Sequence, residues 1–152
     1  MFIPDELYKQ ILHHTIISTV DIIFLNQDNK ILLGKRTNRP LKQYYLPGGR
    51  INKGETMIQA AQRKAKQETG IMIDPDRLIF VVYDDMFPDS EFGDSSTHCI
   101  AITFVYHVTS EEENDSKSDH QHSDIVFVLY YDNIIDSYLR KRLDTIQAYS
   151  II

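Results

Sequence analysis

The stretch "GGRINKGETMIQAAQRKAKQETGI", residues 48–71, decides how this chain is read. It follows "YYLP" (44–47), whose aromatic pair suits a short strand that Pro47, Gly48 and Gly49 bring to an end. Thr56 then stands where a helix N-cap belongs, and the residues after it are mostly good helix formers until Gly70 stops the run. A strand, a glycine loop and a helix in that order form a unit suited to phosphate, because the loop brings backbone N–H groups and a helix start close to an anion. On that helix positions 64, 67 and 68 are three and four residues apart and share a face. They are Lys64, Gln67 and Glu68, so a single carboxylate stands among them.

Working outward, "IISTVDIIFL" (16–25) and "KILLGKR" (30–36) flank the polar "NQDN" and read as a β-hairpin leading into the loop. "PDELYKQIL" (4–12) has the spacing and start signals of a short helix, expected to cover a sheet edge. Beyond the helix, "RLIFVVYDD" (77–85), "THCIAITFVYHVT" (97–109) and "IVFVLYY" (125–131) read as strands, the second long enough to be central. "SEEENDSKSDHQHSD" (110–124) is polar throughout and is expected to be a loop or flap, and 134–149 can form an amphipathic helix. Strands interleaved with three helices imply an α/β layered domain, with a mixed sheet carrying helices on its faces.

A chain of 152 residues that is 42% hydrophobic suits one domain, 1–152, with its own core. The longest apolar stretch is broken by Ser18, Thr19 and Asp21, so no bilayer span is expected. "MFIPDELYKQ" lacks a signal-peptide pattern and Cys99 is the one cysteine, so a cytoplasmic protein without disulfides is the expectation. The net charge of −6 argues against general nucleic-acid binding, yet nine of the 16 Lys and Arg lie between Lys35 and Lys66, against Glu55 alone of the 22 acids. Either this is a solvated cationic face or it meets a small polyanion.

The spacing at 49–71 resembles the Nudix box, G-x5-E-x7-R-E-U-x-E-E-x-G-U with U aliphatic, which Gly49, Glu55, Arg63, Glu68, Gly70 and Ile71 match. The departures are Lys64 and Gln67, where Nudix diphosphatases carry metal-binding glutamates, and the small Ala65 at an aliphatic position. The same departures, with "LLGKRTNRP" (32–40), "PGGR" (47–50), "YDD" (83–85) and "HQHSD" (120–124), resemble the GDP-mannose mannosyl hydrolase branch of that family. The resemblance implies an α/β/α sandwich of the Nudix fold and hydrolysis of a GDP-sugar at the sugar C1 with inversion. It further implies a single magnesium, with manganese as a substitute, held by the Gly49 carbonyl, Glu68 and Gln121, and His122 as general base. Arg36, Arg50 and Arg63 correspond to its diphosphate-binding and leaving-group arginines, Asp21 to an acid beside the sugar, and Glu55 to a support for Arg63 and the loop. Homodimers whose N-terminal segments help complete the partner's site, and a role in GDP-mannose supply for surface polysaccharide, are implied by the same resemblance. The branch has a histidine where Val81 stands and a tyrosine where Cys99 stands.

The chemistry is coherent. A sugar alkoxide needs a proton as it leaves, which is why glycosidases carry paired carboxyl groups. A nucleoside diphosphate leaves as a stable anion, so cations on the diphosphate and one base for water suffice. The alternatives are an ordinary diphosphatase giving GMP and sugar 1-phosphate, and a catalytically silent nucleotide-sugar sensor. Other residues have plain readings beside functional ones. His120 and His122 sit in a charged loop where histidines are commonly solvated, and His98 opens a strand. Asp84 and Asp85 either bind sugar hydroxyls or shape a loop, Tyr44 and Tyr45 either contact substrate or pack, and Cys99 suits a packed strand position better than a nucleophile. Lys64 and Lys66 read as exposed helix charges, with Lys64 able to touch a phosphate.

Overall fold

A computed structural model of the chain describes residues 3–36, 44–87, 97–116, 122–135 and 137–147. In chain order the first half comprises α1 (Asp5–His14), β1 (Ile17–Leu25), β2 (Ile31–Arg36), β3 (Tyr44–Tyr45), β4 (Gly48–Arg50) and α2 (Met57–Thr69). A 3-10 turn at Pro75–Arg77 leads into β5 (Ile79–Met86), β6 (Cys99–His107), α3 (Ser110–Asp115), β7 (His122–Val128) and α4 (Ser137–Gln147).

The sheet is organised around β1 and β6, which run parallel from Ile17 opposite Cys99 to Leu25 opposite His107. β5 adds antiparallel to β6. On its other side β1 pairs antiparallel with β4 at 19–21 and with β2 at Leu25 opposite Ile31, while β2 also carries β3 and β7. The order is β3-β2-β1-β6-β5, a mixed sheet. Alternation along β1 divides the core. Val20, Ile22 and Phe24 face α2, whose Ala60, Ala61 and Ala65 are completely buried. Ile23 and Leu25 face the opposite layer, with Leu139 and Leu143 of α4. The result is the expected α/β/α sandwich of the Nudix fold. Ala65 has a physical role here: without a longer side chain at its buried contact, α2 lies close to the sheet. α1 closes one end, where Leu12 packs with Ile17 and Cys99.

Two expectations are corrected. The segment 44–50 is two short strands rather than one, because the chain passes from β2 to β1 at Leu46–Pro47, where the Pro47 carbonyl accepts a hydrogen bond from Ile22 N–H at 2.8 Å. The polar run from 110 begins as a helix, α3, so the described residues form four α-helices where three were expected. The Thr109 side chain accepts from Glu112 N–H and the Glu112 side chain accepts from Thr109 N–H, a complete capping box. Tyr106 Oη donates to Glu112 at 2.7 Å and Arg77 pairs with it at 3.0 Å, fixing the helix to β6 and the 3-10 turn.

Candidate active site

The box is built on α2. Thr56 and Gln59 close a capping box at its start, with hydrogen bonds of 3.2 and 2.9 Å. Gly70 ends it in the left-handed region at φ 78°, its N–H reaching the Lys66 carbonyl. The loop before α2 is tied down by Glu55. One of its oxygens accepts from Asn52 N–H at 2.9 Å, and both accept from Arg63, at 2.6 and 2.8 Å. The Arg63 hydrogen bond is the main cause that draws the Glu55 carboxyl from its ordinary 4.5 down to about 2, against the opposing effect of burial. Arg63 also donates to the Arg50 carbonyl at 3.0 Å and to the Gln67 side chain at 3.3 Å. Glu55 thus bonds both the loop backbone and Arg63. Arg63, expected on the leaving group, directs its guanidinium to the loop and to its own helix.

Glu68, at 4% exposure, joins the helix to β4. One carboxylate oxygen accepts from Gly48 N–H at 3.0 Å and the other from Lys64 Nζ at 2.8 Å. Gly48 must be glycine, since a Cβ there would lie 2.2 Å from the Val20 carbonyl oxygen and 2.4 Å from Asp21 Oδ1. Gly49 has φ 142°, and a Cβ on it would come within 2.7 Å of Lys64 Cε.

A second group of charges lies just across β1. Asp21 pairs with Arg142 at 2.6 Å, and Arg142 donates to Thr103 Oγ1 at 2.6 Å and approaches Asp84 at 3.8 Å. Burial, together with the neighbouring Asp21 and Asp85 and against the pull of Arg142, raises the Asp84 carboxyl above its ordinary range. Its Oδ1 is buried and has no hydrogen-bond partner among the described residues. Asp85 instead meets His98 at 3.1 Å, and His98 stacks on Phe87. Arg142 is the residue the sequence reading missed. It follows Leu139 by three and precedes Leu143, both buried, so helical spacing put it on the inner face. Asp21, set between Val20 and the apolar run Ile22–Leu25 of β1, is the matching sign, because a carboxylate taken largely out of water requires a partner.

The remaining expected residues divide as follows. Arg50 extends from β4 with its guanidinium 5.1 Å from the Tyr8 ring centre, so α1 shapes its position. Arg36 and His122 are backbone partners where β2 meets the start of β7. Gln121 lies outside the described residues. Tyr44 packs against the α4 side of the core, and Val81 does likewise. Cys99 is buried, and desolvation pushes its thiol up to about 11, which suits packing rather than attack.

Residues 15–148 match the model of the NUDIX domain. The chain belongs to the NUDIX domain family. This Nudix chain is 29% identical over 147 residues to the low-salt glycan biosynthesis protein Agl8 of Haloferax volcanii, covering 95% of the chain and 90% of Agl8. It is 40% identical over 106 residues to the ADP-ribose pyrophosphatase of Methanocaldococcus jannaschii, covering 69% of the chain and 57% of that protein. The crystal structure of a MutT protein from Methanosarcina mazei Go1 superposes with a TM-score of 0.72 at 19% identity, covering 90% of this chain and 96% of that one, a likeness of fold. No described helix is long and apolar enough to cross a membrane.

Nudix hydrolases act on nucleotide derivatives and generally use divalent metals such as magnesium or manganese. The described donors do not fit such an ion as a resident. Both Glu68 oxygens are engaged, one by a backbone N–H and the other by an ammonium that already supplies positive charge. Among the described residues, no three His, Cys, Asp or Glu side chains are grouped to hold a metal. Of the expected set Gly49, Glu68 and Gln121, Glu68 is paired with Lys64 and Gln121 lies outside the described residues.

Proposed function

We propose that this Nudix chain hydrolyses a GDP-sugar, with GDP-mannose the first candidate, to GDP and the free sugar through attack of water on C1 with inversion. The observation that carries this reading is the face of α2. Where attack on phosphorus calls for grouped carboxylates and several metal ions, the helix presents Lys64 joined to Glu68, and Gln67 joined to Arg63. Positive charge beside a diphosphate favours its departure as an anion and requires no acid at the bridging oxygen. The attacking water then needs one base, the role assigned to His122, with Arg36 opposite it in the strand pair. Arg50 is assigned to the diphosphate, Asp84 and Asp85 to the sugar hydroxyls, and Asp21 holds Arg142 beside them. The buried Oδ1 of Asp84 is an acceptor of the kind a sugar hydroxyl satisfies. Similarity to a protein named for glycan biosynthesis supports the substrate class.

Similarity to an ADP-ribose pyrophosphatase favours a second reading, cleavage of the P–O–P bond of a nucleotide sugar to a nucleoside monophosphate and sugar 1-phosphate. Hydrolysis of GDP-mannose in heavy-oxygen water separates the two. Unlabelled GDP with labelled mannose is the expected result. Label on a phosphate of GMP or mannose 1-phosphate means attack at phosphorus, and no product from any nucleotide sugar means a silent binding module. In the same assay His122→Gln should lose about 10²–10⁴ in turnover with GDP affinity nearly unchanged; an unaltered rate removes His122 as the base.

A further inference from the structure

Lys64 differs from an ordinary solvated helix lysine. Its side chain is 20% exposed and that of its partner Glu68 only 5%. Its terminal carbons and ammonium lie on the bare backbone of Gly49, so closely that a Cβ there would be 2.7 Å from Cε and 3.1 Å from Nζ. Three features therefore meet at one point: a buried carboxylate, the glycine turn of the loop and a lysine ammonium. Gly48 N–H takes the other Glu68 oxygen, so the carboxylate is fixed in place with its charge offset by Lys64.

We propose that the Lys64 ammonium is the resident cation of this Nudix box, occupying the place at Glu68 where a divalent ion would otherwise bind, and so holding such an ion off. A divalent ion taking the same oxygen would stand within a few ångströms of the ammonium, where like charges repel strongly in a partly buried site. With no such ion bound the lysine cannot retreat without loss, because the Glu68 carboxylate would then be buried without its ion pair. An ammonium brings three donors and a single positive charge that cannot be removed by a chelator. This assignment concerns the free protein. Only its bearing on substrate rests on the proposed nucleotide-sugar reading, in which the ammonium lies beside the diphosphate.

The test is titration of the purified protein with Mn(II), following free manganese by electron paramagnetic resonance, with melting temperatures recorded in parallel. The wild type should take up little manganese, and chelator treatment should leave its melting temperature unchanged. Lys64→Met, which keeps most of the aliphatic stem, and Lys64→Gln, which keeps a neutral donor on a shorter side chain, should each bind Mn(II) about 10–100-fold more tightly, as expected for removing one nearby positive charge. Adding Glu68→Gln to Lys64→Gln should abolish that gain. Tight stoichiometric uptake by the wild type that Glu68→Gln weakens would overturn the proposal, as would folded Lys64 variants with unchanged manganese affinity. GDP binding measured by calorimetry in chelator separates this inference from the function. If the manganese pattern holds and GDP does not bind, the nucleotide-sugar reading fails while the assignment of Lys64 stands.

Discussion

At the scale of single residues, the box is a set of charge pairs in which each acid has a named cation. Glu55 has Arg63, and Glu68 has Lys64. The first pair was legible in the sequence, because its spacing belongs to the Nudix pattern and an arginine held by two carboxylate oxygens is a familiar brace. The second was half legible: Lys64 could be seen to break the pattern, but its burial on Gly49 depends on a glycine φ that no spacing reports. The depressed Glu55 carboxyl gives a pH prediction. A carboxyl whose folded value lies below its unfolded one stabilises the fold fully above the unfolded value and loses that contribution as pH falls through the folded one. The contribution of Glu55 should therefore be complete above its ordinary 4.5 and fade toward about 2. Melting curves of wild type and Glu55→Gln should differ most at neutral pH and converge over that acid window. A gap that stays constant down to the acid end would show that the carboxylate's charge is not what stabilises the loop.

At the scale of elements, legibility followed the strength of local signals. α2 announced itself through Thr56, its run of helix formers and Gly70, and both caps are formed. α3 was missed because a polar stretch offers no apolar periodicity to read. Its signals are a capping box at Thr109 and Glu112, and anchors at Tyr106 on the preceding strand and at Arg77, 35 residues away in sequence. Glu112 shows what those anchors do: burial alone would raise its carboxyl, but hydrogen bonds from Thr109 N–H, Tyr106 and Arg77 together lower it. The caps of α2 should be measurable as stability. Thr56→Ala removes the acceptor for Gln59 N–H and should cost about 1 kcal/mol in urea unfolding. Gly70→Ala forces a Cβ into the left-handed region and should cost about 1–2 kcal/mol. If neither substitution moves the unfolding midpoint, α2 is held by its packing on the sheet alone, and the caps are incidental to placing Glu68.

At the scale of the whole molecule, the two helical layers are joined through the sheet by polar contacts as well as by core packing. Arg142 on α4 reaches Asp21 on β1 and Thr103 on β6, while Asp21 borders Gly48 at the mouth of the box. Two residues 121 positions apart in the chain thus connect the last helix to the glycine loop. The layers themselves were legible from alternation along β1, whose successive residues face α2 and α4. The pair was not, because it depends on the parallel register of β1 and β6, which sets Asp21 opposite Thr103. A buried ion pair is weak support while both members are present, since desolvation offsets much of the attraction, but removing one member leaves a buried charge unmatched. Arg142→Met should therefore cost about 3–5 kcal/mol in denaturant unfolding. Adding Asp21→Asn should recover much of that loss, because the exposed imbalance is gone. Additive losses in the double variant would mean that Arg142 supports the fold through Thr103 and its packing rather than through Asp21. Nearly full recovery would instead make the pair a device for orientation, holding β1 beneath Gly48 so that the loop meets Glu68 at its observed angle.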